Sequence, residues 1–348
     1  MKRKILSFLI LAAVLFSSVS TAFANDENID SILKETASYI TENVKSPTIG
    51  SVGGDWAIIG LARSNVQIDE KYYDEYYSNV ETIVKESAGV LHNRKYTEYS
   101  RVILSLTAIG KDPRNVGGYN LLVPLGDFEK TVWQGINGPV WALIALDSGN
   151  YLPPKNKDAK VQATRKMYVN YILERQNSDG GWALSENMAS DIDVTAMVLQ
   201  ALSNYRHIKN VSTAIEKALA LLQNSQNADG GFSISGEATC ESSAQVLAAL
   251  CTLGISYNSP EFTKNGKTVL DDILSYYTGK GFKHIKSGEE NHMATEQAFY
   301  SLVALERFMS GKPSLYTMSK KSLNSGNTEV FCFEVQQAIE QLKRVENN

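Results

Sequence analysis

An all-α ring of helical hairpins, six inner helices inside about six outer ones, is the fold class this sequence predicts. Three observations predict it. First, the chain repeats itself: Trp182, Phe232 and Phe282 stand 50 residues apart, each on a Gly-rich turn. Second, each turn is followed by an apolar run carrying Thr195, Ser243 or Thr295 at nearly the same step. Third, no convincing strand run interrupts the helical segments. A repeat of this length is one supersecondary unit used many times, each burying its apolar face against the next.

The unit explains itself physically. Lys217-Ala218 leads an apolar run through Leu222 to Gln226, and Asn227-Ala-Asp-Gly-Gly is strong turn chemistry. The helix expected from about Glu241 is apolar nearly all round, so it is buried on both sides, whereas the helix before the turn keeps one wet face. Taken in order, inner helices are expected to begin near 55, 98, 138, 191, 241 and 292. Pro139 suits the first turn of the third, where its missing amide is not needed. Outer helices fit Ile29–Val44, Tyr72–Ala88, Ala159–Gln176, Val211–Gln226 and Glu261–Tyr277. The one before Asn137 is interrupted by Gly117-Gly118 and Pro124.

The ends of the 348-residue chain read differently. Lys2-Arg3-Lys4, the apolar run Ile5 to Phe16 and Ala22-Phe23-Ala24 have the form of a secretory signal peptide, residues 1–24, with cleavage after Ala24. The expected location is therefore secreted or cell-surface. No later stretch reaches the roughly 20 apolar residues of a membrane span. The net charge is −4, and losing the basic leader makes it more negative, which argues against a nucleic-acid partner. The ring is expected over 25–311, a polar linker over 312–328 and a helix over 329–348. Phe331, Val335, Ala338, Ile339 and Leu342 share one face of that helix, a possible contact for a cell-wall or protein partner.

Cys240, Cys251 and Cys332 show neither CxxC nor Cys/His spacing and read as small buried hydrophobes. Cys240 and Cys251 lie 11 residues apart on one expected helix, about 16 Å, too far to bridge. No metal site and no cofactor is expected.

At Lys217-Ala218, Leu221-Leu222, Gln226 and Gly230-Gly231-Phe232 the chain resembles the QW motif of squalene–hopene and oxidosqualene cyclases; Tyr171-Ile172, Gln176 and Trp182 match it again. The same fold, the α/α toroid, serves protein prenyltransferase β-subunits, complement-type thioester domains and cobalamin carriers. The resemblance covers roughly 45 to 310. It implies that Gln176, Trp182, Gln226, Phe232 and Phe282 staple neighbouring repeats, a structural role that does not by itself give a function.

Asp191-Ile-Asp193-Val194-Thr195-Ala196 is similar to the DxDD-Thr-Ala segment of triterpene cyclases, whose middle Asp protonates an alkene. By that resemblance Asp193 is the candidate catalytic acid, but Val194 replaces the last Asp. The chemistry needs an acid kept protonated in an apolar hole. The alternative, preferred on the sequence, is that Asp193 meets free amides in the first turn of a helix. A prenyltransferase-like zinc set of Cys240, His292 and an Asp lacks the Asp two residues before the Cys. The thioester motif lacks its Cys, and Asp179-Gly-Gly and Asp229-Gly-Gly lack the spaced oxygens of calcium loops.

Candidate ligand-binding residues are Trp56, Tyr99, Trp141, Asp191, Asp193, Glu241, His292 and Glu296, with the acids and His292 expected along one rim. The function expected is a secreted toroid that binds a ligand (apolar, corrinoid or glycan) in its funnel or at its rim, without full cyclase chemistry. A class II-type terpene cyclase using Asp193 is one alternative; the leader, the single ring and Val194 weigh against it. A carbohydrate-active enzyme using paired carboxylates is the other.

Overall fold

A computed structural model describes residues 28–319, apart from residue 235. The signal peptide expected over 1–24, Cys332 and the helix expected over 329–348 lie outside the described residues. Outer and inner helices alternate. The outer helices are α1 (28–43), α3 (Glu70–Glu86), α5 (Phe128–Val132), α7 (Arg165–Leu173), α9 (Lys209–Ser225) and α11 (Val269–Leu274). The inner helices are α2 (Asp55–Arg63), α4 (Thr97–Ala108), α6 (Asn137–Ser148), α8 (Ile192–Leu202), α10 (Cys240–Leu253) and α12 (His292–Met309). Each inner helix packs on the next, and α12 packs back on α2, so the ring closes.

Burial explains the two layers. Every residue from Gly138 to Ser148 of α6 is buried, as expected of a helix with neighbours on all sides. By contrast α9 buries only Val211, Ala214, Ile215, Ala218 and Leu222, one stripe at helical spacing. The closing seam depends on a glycine: a Cβ on Gly60 of α2 would stand 2.8 Å from the Phe299 ring of α12.

The repeat residues tie units together. Gln176 Nε2 donates to Gly180 O within its own turn and to Ala214 O of α9, both at 2.8 Å. Gln226 Nε2 does the same with Gly230 O at 2.8 Å and Phe262 O at 3.0 Å. Trp182, Phe232 and Phe282 are fully buried. Their amides donate to the hydroxyls of Thr195, Ser243 and Thr295 at 3.0, 3.2 and 2.9 Å. Gly230, at φ +89°, lies so close to Thr268 O that a side chain would overlap it at 2.3 Å.

Three outer helices are shorter than their apolar patterns suggest. The stretch before Asn137, expected to be interrupted, holds a 3-10 turn at Val123–Gly126 and the five residues of α5. Thr164 accepts the Met167 amide and starts α7 at Arg165, because residue 162 is bridged to Asp127. Before α11, Thr263–Lys264 pairs with Lys267–Thr268 around Asn265-Gly266, both at positive φ. This Asn-Gly hairpin takes the place of the first turns of the helix expected over Glu261–Tyr277. A second hairpin pairs Ser233–Ile234 with Glu237–Ala238, so short strands do occur. Cys240 and Cys251 are buried and unbridged.

The far end of the ring corrects the expected linker. Residues 312–319 fold back over the C-terminal ends of the inner helices instead of leaving into solvent. Arg63 donates to the carbonyls of Leu315, Thr317 and Ser314 at 2.8, 2.9 and 3.1 Å. Arg307 Nε donates to Pro313 O at 2.8 Å, and the Met318 amide to Ser148 O at 2.8 Å. Leu315 and Tyr316 are buried. Cations at helix C-termini suit the dipole there, and Arg63 and Arg307 spend their donors on the backbone carbonyls of the segment. Among the described residues no helix is long and apolar enough to cross a membrane.

Candidate functional site

All six inner helices start at the same mouth of the ring, so their first turns decide what the mouth presents. At the start of α8 two aspartates have opposite surroundings. Asp191 is the N-cap, its carboxylate accepting the Val194 amide at 3.0 Å. Asp193 is not a cap, contrary to the preferred sequence reading. It is the second residue of the helix, in the first turn as expected, but its side-chain partner is the Ser242 hydroxyl and not a backbone amide, and its Oδ1 is buried without a hydrogen-bond partner. Burial first, then the Asp191 charge, push its pKa up to about 7; the Ser242 hydroxyl pulls it down and Glu241 raises it further.

Glu241, in the first turn of α10, is buried, and His284 Nδ1 lies 2.9 Å from each of its oxygens. The His284 carbonyl in turn accepts the Cys240 amide at 3.0 Å, which fixes the histidine over the helix start. His284 was missed in the sequence. It stands two residues after Phe282, where the other repeats have Leu184 and Ile234, so aligning the repeats would have exposed it.

The expected single rim of acids is divided in two. Asp191, Asp193, Glu241 and His284 gather at the α8–α10 seam. Glu296 instead sits at the α12–α2 seam, accepting the Gly53 amide at 2.7 Å with Oε2 buried and unpartnered. Burial, and secondarily Asp55, raise its pKa to about 8. His292 leaves the mouth altogether, exposed and stacked on Tyr39 of α1 at 6.0 Å. Tyr99 serves the wall: its hydroxyl accepts the Leu91 amide at 3.0 Å, and its ring meets Tyr96 edge-on.

Trp56 and Trp141 do face the lumen. Their rings are 4.8 Å apart, Trp56 lies 6.0 Å from Tyr300, and Trp141 lies 6.0 Å from Tyr316 of the folded-back segment. Four aromatic rings therefore meet inside the ring, and Tyr316 closes them off from the far end. A polar belt also crosses three helices: Gln200 donates to Gln245 at 3.3 Å, and Gln245 to Gln297 at 3.1 Å and to the Tyr300 hydroxyl. The Gln200 Oε1 is buried without a partner. Among the described residues no group of three or more His, Cys, Asp or Glu is placed to hold a metal ion.

No protein-family model and no curated protein matches the sequence. Solved structures do. Unsaturated glucuronyl hydrolase from Bacillus sp. GL1 is similar with a TM-score of 0.50 and 12% identity, over 84% of this chain and 99% of that one. The ent-copalyl diphosphate synthase from Streptomyces platensis has a TM-score of 0.48 and 16% identity, over 74% of this chain and 50% of that one. The chain thus spans about half the length of the synthase. The fold is the α/α toroid. At these identities the likeness is one of fold alone.

Proposed function

We propose that the protein is a ligand-binding toroid whose site is the mouth beside α8 and α10, and that its ligand carries hydroxyl groups. The observation behind this reading is the buried, unpartnered Oδ1 of Asp193. A buried carboxyl oxygen without a partner forfeits the hydrogen bond it had in water, at roughly 1–3 kcal/mol. A ligand hydroxyl would restore that bond, and Glu241, His284 and the glutamine belt offer further donors and acceptors nearby. The meeting of Trp56, Trp141, Tyr300 and Tyr316 supports a shallow site over a deep polyprenyl cavity. We also propose that the protein is secreted or held at the cell surface, which follows from the leader-like residues 1–24.

Native mass spectrometry of protein purified from culture supernatant tests the reading. A co-purifying mass that is bound by the wild type and lost in Asp193→Asn is expected. Identical occupancy in both proteins would contradict it.

A second reading is favoured by the raised pKa of Asp193: near neutral pH about half of its carboxyls would hold a proton, as a general acid requires. With Glu241 as the second carboxylate, this is the equipment of glycoside hydrolysis. Turnover of a glycoside by the wild type and not by Asp193→Asn would select it over simple binding.

A further inference from the structure

A groove of about 890 Å³ lies outside the ring lumen, between the loop entering α6, the loop leading to α8 and the end of α7. That volume is within the roughly 300–1,000 Å³ of small-molecule sites. Its rim carries Trp133, which is 58% exposed, and Leu184, which is 45% exposed. Arg94 lies 4.8 Å from the Trp133 ring centroid, and Arg175 lies 3.3 Å from that of Tyr171. Arg175 also pairs with Glu186 at 2.8 Å.

These facts constrain the occupant. An indole this exposed is a large apolar surface kept in water, and with Arg94 on the ring its stacking surface is presented in a fixed orientation. Within the lining the Arg175 charge is neutralised by Glu186, and the Arg94 guanidinium, outside the lining, is engaged on the Trp133 ring. The remaining polar lining is Glu174, whose negative charge disfavours an anionic ligand, and the uncharged Gln176, Asn177, Ser185 and Asn187; Ser185 and Asn187 make no side-chain hydrogen bond among the described residues. A flat apolar platform beside small neutral hydrogen-bonding groups matches a pyranose, whose C–H face is apolar and whose edges are hydroxyls. The electropositive C–H face meets the negative π-face of the indole, as the ring quadrupole favours.

We infer that this groove binds a neutral oligosaccharide, stacked on Trp133 and hydrogen-bonded by Ser185 and Asn187. The inference goes beyond the mouth site and does not depend on Asp193, because none of the groove's residues belongs to the α8–α10 acid cluster. The groove lies beside the mouth, so a long glycan held here would pass along the rim.

Titration calorimetry of the intact protein with neutral gluco-, manno-, xylo- and N-acetylglucosamine hexasaccharides tests it. At least one should bind the wild type. Trp133→Ala should weaken that binding by about tenfold or more, Trp133→Tyr should retain part of it, and Asp193→Asn should leave it unchanged. The melting temperature of Trp133→Ala should stay at the wild-type value, since the side chain is exposed. The inference is overturned if none of the sugars binds, if Trp133→Ala binds as well as wild type, or if an oligogalacturonate or an unstructured peptide binds there in preference. Loss of binding in Asp193→Asn but not in Trp133→Ala would move the sugar to the mouth, leaving the mouth reading intact and removing this one.

Discussion

Asp191 and Asp193 stand two residues apart on one helix, yet Asp191 caps α8 with a 3.0 Å bond to the Val194 amide while Asp193 keeps a buried oxygen without any partner. The first carboxylate stabilises the helix start, and its charge makes the second harder to ionise. The pair is therefore a device in which a structural residue tunes a chemical one.

Stability should consequently depend on pH through Asp193. The unfolded chain loses this proton near 3.8, whereas the fold keeps it to about 7. The folded state binds more protons between these values, so stability falls as pH rises through that window and is level above it. Asp193→Asn removes the penalty and should be more stable than wild type at pH 8 by on the order of 1–3 kcal/mol after allowing for screening, with no gain below pH 4. Glu296, whose pKa is raised to about 8, adds a slope of the same sign that persists in the variant. Chemical denaturation of both proteins at the two pH values gives the difference.

Asp191→Ala should act in two ways. Loss of the cap should cost about 0.5–2 kcal/mol, as for other N-caps. Loss of its charge should also lower the Asp193 pKa. A variant destabilised without any change in the Asp193 titration would uncouple the two residues.

The repeat aromatics should be among the most costly residues to remove. Trp182 and Phe232 are fully buried, so Trp182→Ala and Phe232→Ala should each lose about 3–5 kcal/mol. Thermal melts unchanged for both would mean that the rings do not hold neighbouring units together.

The segment over the far mouth makes a similar prediction. Tyr316→Ala leaves a hole beneath Trp141 and should cost about 3–5 kcal/mol, as for other large buried rings. It should also increase binding of an apolar dye. An unchanged melt and unchanged dye signal would mean that the segment rests on the ring without sealing it.

The ring was readable because apolar runs and Gly turns recur, and a repeat states its own period. All six inner helices begin within one or two residues of where the runs start. The outer layer was less legible: Glu261–Tyr277 has a helical apolar pattern, and only the Asn265-Gly266 turn betrays the hairpin inside it. At the site, Asp193 was visible through its spacing from Asp191, but burial and capping depend on which side of α8 meets α10. That information is tertiary, and so is the departure of His292 toward Tyr39. Trp133 is not legible as a surface residue, because nothing in its local sequence distinguishes an exposed ring from a buried one.

The central claim is that Asp193, half-buried with its Oδ1 out of water, holds its proton near neutrality. Side-chain carboxyl carbon NMR of the intact protein, with Asp193→Asn identifying the resonance, measures that directly. The account predicts a titration centred at about pH 7. A midpoint near 4, in the ordinary aspartate range, would contradict it.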